Sequence, residues 1–300
     1  MSDPGAPKVV AIVGPTAAGK TALALEVAKA LGAEIVSVDS MQIYRGMDIG
    51  TDKATLEMRG EVPHHLIDLM EPGHPLTVSE YQHLGRAAID DITIRRRTPL
   101  LVGGSGLYFR AIVDDLRFPP RAPEVRAELE AEVERAGAGV LHARLQELDP
   151  KAAARIEPGN ARRIVRALEV IEITGRPFSE NTAWDSYESI YALEVFGIAR
   201  EREELYERVA QRVDRMFERG LVDEVKGLGP RLGPMARQAL GYKQILDAPD
   251  ASEEEWKVEI VRATKRFARR QDSWFRADPR ITWLDASAPD LVAGVVGSVR

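Results

Sequence analysis

The chain has 300 residues, 44% of them hydrophobic and 29% charged, which supplies one large or two modest domains with a sizeable core and excludes a disordered or fibrous protein. It contains no cysteine, so disulfides, thiolate zinc sites and cysteine nucleophiles are excluded, and a reducing, cytoplasmic setting is expected. A net charge of −6 argues against a nucleic-acid partner held by bulk charge, and with neither a leader-like N-terminus nor a run near the ~18 apolar residues of a membrane span, export and membrane insertion are not expected.

Residues 8–13 read as a short buried strand. The run that follows, Gly14-Pro15-Thr16-Ala17-Ala18-Gly19-Lys20-Thr21, is a complete G-x-x-x-x-G-K-[ST] phosphate loop. Residues 21–31 read as the amphipathic helix that leaves it, closed by Gly32. In such a loop the backbone N–H groups and the free N–H groups of the helix start converge on anionic oxygens. Lys20 then reaches the distal phosphates, and the Thr21 hydroxyl holds a Mg2+. The motif reads phosphates and ignores what they are attached to. ATP, GTP and an organic diphosphate all satisfy it, and a kinase or NTPase is its commonest setting.

Residues 34–39 are a second predicted strand, ending on Asp39 and followed by Ser40-Met41-Gln42-Ile43-Tyr44, a polar and aromatic mix suited to contacting a base. An apolar strand ending in Asp is also the usual second metal-holding element of an NTPase, so both readings stand at this point. Residues 81–94 read as a helix, and residues 99–106 as a buried strand running into the glycine-rich turn Gly103-Gly104-Ser105-Gly106. Alternating strands and helices predict an α/β fold with a P-loop NTPase-like parallel sheet. Ligands of such sheets sit at the carboxyl ends of the strands, so Asp39 and Ser105 both point at the phosphate site.

Composition changes near residues 117–123, and from 124 to about 175 the pattern is helical and charged. We read residues 117–189 as a helical subdomain inserted into a core made of residues 1–116 and 190–300. Arg162, Arg163 and Arg166 cluster within one helical turn of it. Residues 191–198 predict a strand rejoining the sheet, residues 201–219 and 252–276 long helices, and residues 281–284 a last strand. Ser252-Glu253-Glu254-Glu255 is a capping box opening the second long helix. That helix is rich in Arg and Lys, and Trp274 and Phe275 near its end read as core residues. The five histidines show no metal-ligand spacing.

Six blocks, taken in order, carry a resemblance over nearly the whole chain. They are the phosphate loop; the run from Val38-Asp39-Ser40-Met41-Gln42 to Gly50-Thr51; Val62-Pro63-His64-His65-Leu66-Ile67-Asp68; Gly103-Gly104-Ser105-Gly106-Leu107-Tyr108; Arg163-Ile164-Val165-Arg166-Ala167-Leu168-Glu169; and Leu240-Gly241-Tyr242-Lys243. Together they resemble the bacterial tRNA dimethylallyltransferase family, the tRNA A37 isopentenyltransferases. One departure is visible: Ser105 stands where the family usually has Thr, which keeps the hydroxyl but defines its rotamer less.

The resemblance implies transfer of the dimethylallyl group from dimethylallyl diphosphate to N6 of adenine 37 in tRNA, with pyrophosphate released. The phosphate loop then grips a diphosphate leaving group, with Mg2+ and without ATP. By resemblance Asp39 holds N6 and accepts its proton, and Ser105 bonds the oxygen of the breaking bond. Asp39, Ser40, Met41, Gln42 and Ser105 would contact the flipped base or its neighbours. Arg126, Arg162, Arg163, Ile164, Val165, Arg166, Gln238, Gly241, Tyr242 and Lys243 would contact the RNA. A relative using free AMP or ADP as acceptor is the nearest alternative, and the helical insertion with its arginine cluster favours RNA. A monomer with no obligate protein partner is expected.

Overall fold

The computed structural model describes residues 6–119, 121–180 and 186–299. Six strands form one parallel sheet: β1 (Lys8–Val13), β2 (Ala33–Val38), β3 (His64–His65), β4 (Thr98–Gly103), β5 (Ala192–Ala199) and β6 (Ile281–Asp285). Their order is β3-β2-β4-β1-β5-β6. Parallel strands need crossover connections, which usually run through helices lying on both faces, so such strands are buried on both sides. β1 shows this directly. Val9, Ala11 and Val13 enter one hydrophobic cluster, Val10 and Ile12 enter the other, and all five have no solvent exposure.

Two register relations place the site. Val13 of β1 and Val38 of β2 both pair with Gly103 of β4. The three strands therefore end at one level, and the residues just beyond them, Gly14, Asp39 and Gly104, emerge side by side. Gly103 is required by this packing, since a Cβ there would lie 2.0 Å from the Val38 carbonyl oxygen.

Helices α1 (Lys20–Leu31), α2 (Leu56–Glu61), α3 (Val78–Ile94) and α4 (Gly106–Val113) connect the first strands. Helix α1 stops at Gly32, whose left-handed conformation (φ 61°) lets its N–H satisfy the carbonyls of Ala28 and Lys29. Helix α3 starts on a Thr77/Glu80 capping box.

Contacts divide the chain into two compact units, one of residues 1–114 and 188–300, the other Asp115–Tyr187. The second unit is helical: α5 (Pro123–Ala136), α6 (Ala138–Leu148), α7 (Pro150–Arg155) and α8 (Ala161–Thr174). Leu129, Leu141, Leu145, Ile164, Val165 and Leu168 form its own core. Glu169 is fully buried within it, a burial that would be costly for a lone carboxylate. It is balanced by Arg166 Nη1 at 2.9 Å, Arg126 Nη1 at 3.5 Å and the Ala122 N–H at 3.1 Å. The first unit closes where the second begins: Asp114 and Ser189 pair as an antiparallel bridge, and the Ile190 N–H donates to Val113 O at 2.9 Å.

After β5 the first unit continues with α9 (Arg202–Glu218), α10 (Leu221–Leu228), α11 (Tyr242–Asp247), α12 (Glu253–Arg276) and α13 (Leu291–Val299). Helix α12 opens on the expected box, with Ser252 accepting from the Glu255 N–H. Among the described residues, no helix is long and apolar enough to cross a membrane.

The long elements lie within one to three residues of their sequence-predicted ends. Missed were β3, α2, α4, α10, α11 and α13, pieces of nine residues or fewer, too short to stand out from their surroundings and stabilised by tertiary packing. The β3 histidines serve the sheet edge: His64 Nδ1 meets Val62 O at 2.7 Å, and His65 Nε2 meets the buried Glu34 carboxylate at 2.7 Å.

Candidate active site

Above the level ends of β1, β2 and β4 lies a cavity of about 580 Å³. Thr16, Lys20, Thr21, Asp39, Ser40, Met41, Gln42, Ser105 and Gln238 line it, and all nine are site residues expected from the sequence. Gly14, Pro15, Ala17, Ala18 and Gly19 complete the loop behind Thr16 and Lys20.

The loop's shape depends on partners distant in sequence. Ala17 takes a left-handed φ of 65°, which costs a residue with a Cβ about 1 kcal/mol. Arg208 Nε donates to Ala17 O at 2.9 Å, and the guanidinium of Arg200, just past β5, donates to Ala18 O at 3.4 Å. Both carbonyls are thereby engaged, and the Ala18 N–H closes a turn on Pro15 O at 3.3 Å, which fixes the loop's backbone around the anion site. Arg212 Nη1 donates to Thr16 Oγ1 at 2.6 Å. Gln271 bridges the two glycine-rich turns: its Oε1 accepts from Thr16 N–H at 2.9 Å, and its Nε2 donates to Gly104 O at 2.8 Å.

None of these four residues was singled out from the sequence. The available signal was on α9, where Leu205, Val209, Val213 and Met216 mark the buried stripe and Arg208 and Arg212 flank it. Periodicity identifies such a flank without naming what it faces.

Lys20 Nζ donates to Pro15 O at 2.7 Å. Burial of the ammonium, assisted by the nearby Arg212 charge, lowers its pKa to about 8, while Asp39 and Asp52 pull the other way. Asp39 accepts the Met41 N–H on Oδ1 at 2.9 Å, an Asx turn that fixes the carboxylate at the strand end. Ser105 occupies the N-cap position of α4, and its hydroxyl caps no backbone amide there. Gly106, next to it, touches Trp274: a Cβ at Gly106 would sit 2.2 Å from the indole ring.

Several expectations are corrected. Trp274 is not a core residue: it is 37% exposed and lines the cavity, while Phe275 is fully buried. Adjacent helix positions point about 100° apart, so one meets the core and its neighbour the turn. Tyr242, expected at the RNA, has no exposed surface, and its hydroxyl donates to Glu224. Ile164 and Val165 belong to the core of the helical unit, so their side chains pack rather than contact RNA.

The remaining expected contacts differ in accessibility. Arg162 and Arg163 on α8 are exposed, whereas Arg126 and Arg166 are half-buried against Glu169. Lys243 is exposed and pairs with Asp247 at 2.7 Å, and Gly241 opens α11. Gln42 is engaged within the protein: its Oε1 accepts from Ser37 Oγ at 2.8 Å, and its Nε2 donates to Thr51 O at 3.2 Å.

Comparison with known proteins identifies the family. Residues 42–278 match the IPP transferase family model, and residues 7–63 match an isopentenyl transferase model. A tRNA dimethylallyltransferase of Streptomyces avermitilis is 56% identical over 295 residues, spanning 97% of this chain and 94% of its own length. One from Bifidobacterium adolescentis is 47% identical, spanning 100% and 90%. Among solved structures, the tRNA isopentenylpyrophosphate transferase of Bacillus halodurans aligns with a TM-score of 0.70 at 42% identity, covering 97% of each chain. A eukaryotic dimethylallyltransferase acting on tRNA aligns with a TM-score of 0.82 at 26% identity, covering 96% of this chain and 77% of that one. The chain belongs to the tRNA dimethylallyltransferase family.

Proposed function

We propose that this enzyme transfers the dimethylallyl group of dimethylallyl diphosphate to N6 of adenine 37 in tRNA, releasing pyrophosphate. The observation that carries the reading is the level ending of β1, β2 and β4, which sets an anion cradle beside a carboxylate and a hydroxyl in one cavity. A kinase uses such a cradle with a carboxylate too; membership of the tRNA dimethylallyltransferase family favours prenyl transfer to an amine, for which Asp39 is the proton acceptor.

In this reaction the allylic C–O bond breaks with its electron pair leaving on pyrophosphate, and the N6 lone pair forms the new C–N bond. Charge grows on the leaving group, where the loop N–H groups, Lys20 and Arg212 stabilise it. Ser105 donates to the bridging oxygen. N6 is a delocalised, weak nucleophile, so Asp39 orients it and takes its proton. The donor set also fits Mg2+: this ion keeps several waters and takes few protein ligands, and Thr21 supplies a hydroxyl in the same cavity as the Asp39 carboxylate. Bound there with the diphosphate, it would add positive charge opposite the leaving group.

Adenine 37 must leave its stack to enter the cavity, at a cost of a few kcal/mol. Trp274 and Met41 offer apolar surface at the cavity wall for the extruded base. The exposed Arg162 and Arg163 of the helical unit are proposed to hold RNA phosphates.

The test is incubation of the protein and Mg2+ with radiolabelled dimethylallyl diphosphate and either unmodified tRNA or AMP, followed by digestion and nucleoside separation. Label in N6-modified adenosine from tRNA alone is the expected result. Transfer to AMP, or ATP hydrolysis without transfer, refutes the assignment.

A further inference from the structure

Between Asp39 and Arg212 the cavity wall is built by Gly50, Thr51 and Asp52, which belong to a segment without regular secondary structure. Irregular backbone holds a fixed shape only where its N–H and C=O groups find partners. Here the N–H groups of three successive residues, Asp48, Ile49 and Gly50, donate to one carboxylate, that of Glu224 on α10, at 2.9, 2.8 and 3.0 Å. The Tyr242 hydroxyl donates to it as well. The tyrosine ring packs on the same backbone, since a Cβ at Gly50 would meet it at 2.4 Å.

Glu224 does not line the cavity, yet the segment it grips does. The Thr51 carbonyl accepts from Gln42 Nε2 at 3.2 Å, and Gln42 lies three residues beyond Asp39. A path thus runs from α10 through residues 48–51 to Gln42, in the turn that follows the proposed base. A second branch, from Asp52 to Arg212 at 3.6 Å, passes through a half-exposed carboxylate, and ion pairs of that kind contribute little. Loosening the segment therefore acts on the acceptor side more than on the diphosphate side.

We propose that Glu224 is a positioning residue for the acceptor base, acting through residues 48–51 on Gln42; this rests on the transferase reading given above. The carboxylate is the suitable group because all four of its partners are donors. A carboxamide of the same shape offers one acceptor oxygen and confronts the remaining donors with an NH2. Charge-assisted bonds to backbone N–H groups are also the stronger kind.

The test uses the full chain with Glu224→Gln and Tyr242→Phe, read by amide hydrogen exchange and by steady-state transfer to tRNA. In Glu224→Gln the amides of residues 48–50 should exchange at least about tenfold faster while those of β1 stay at the wild-type rate. kcat/KM for tRNA should fall about tenfold or more, with KM for dimethylallyl diphosphate within about threefold of wild type. Tyr242→Phe, which removes one donor and leaves the three amides held, should show a smaller loss of the same kind. Unchanged exchange at residues 48–50 overturns the proposal, as does faster exchange with unaltered tRNA kinetics, or a loss confined to KM for the diphosphate. Absence of transfer by the wild-type chain overturns the transferase reading itself, and the exchange data still decide whether Glu224 holds the segment.

Discussion

The depressed pKa of Lys20 makes anion binding pH-dependent in a way that can be worked out in advance. Its ammonium titrates at about 8 in the free protein, because burial and the Arg212 charge oppose the protonated form. Only that form attracts a diphosphate, and a bound diphosphate raises the pKa again, so affinity must fall as pH rises through about 8. At about pH 9.5 roughly 3% of the free lysine is protonated, and with a bound pKa near its ordinary value the affinity lies roughly 25-fold below that at about pH 7. Calorimetric titration with inorganic pyrophosphate across this range measures it. Pyrophosphate itself gains negative charge over the same interval, so Lys20→Arg, whose cation does not titrate, is the reference. The ratio of wild-type to variant affinity should drop along the curve of a group near 8. A ratio independent of pH would refute the reasoning.

Three further outcomes are expected. Asp39→Asn keeps the shape but cannot accept a proton, so kcat should fall by about two orders of magnitude or more, and a single-turnover rate within about threefold of wild type would remove Asp39 as the base. Arg212→Gln takes away a charge that lowers the Lys20 pKa, so the pyrophosphate pH profile should move to higher pH while binding at neutral pH weakens about tenfold; a fixed midpoint would contradict the coupling. Arg163→Ala should reduce the slope of log affinity for tRNA against log salt by about one, measured by filter binding, and an unaltered slope would mean that this residue touches no phosphate.

Much of the fold was legible because its main elements are long and periodic and carry their own punctuation. The strand, loop and helix around Gly14–Thr21, the Asp39 strand end, the glycine turn at Ser105 and the capped α12 all follow local rules. What escaped was the set of side chains that reach the phosphate loop from afar. Arg208 and Arg212 lie more than 190 positions from the atoms they bond. On a helical wheel they are indistinguishable from solvated arginines, because a wheel reports the face and not its neighbour. Tyr242 erred in the opposite sense. Its place in a motif suggested contact with RNA, whereas Gly50 against its ring and Glu224 at its hydroxyl bury it as a strut. Trp274 and Phe275 form one apolar pair in sequence, and only the packing of α12 on Gly106 separates a wall residue from a core residue.

The isolated bridge between Asp114, at the end of α4, and Ser189, just before β5, has a consequence for how such a chain changes over time. The chain leaves the sheet-bearing unit after Asp114 and returns to it at Glu188, and the two stretches of that unit are joined by the Ile190 N–H on Val113 O. Everything between can be lengthened, trimmed or exchanged as a cassette, because the two cut ends already lie side by side and a short turn would join them at small entropic cost. All six strands and the arginine braces of the phosphate loop belong to the other unit. The part that carries Arg162, Arg163 and Arg166 and the part that carries Asp39 and Ser105 can therefore be lengthened or remodelled by separate genetic events.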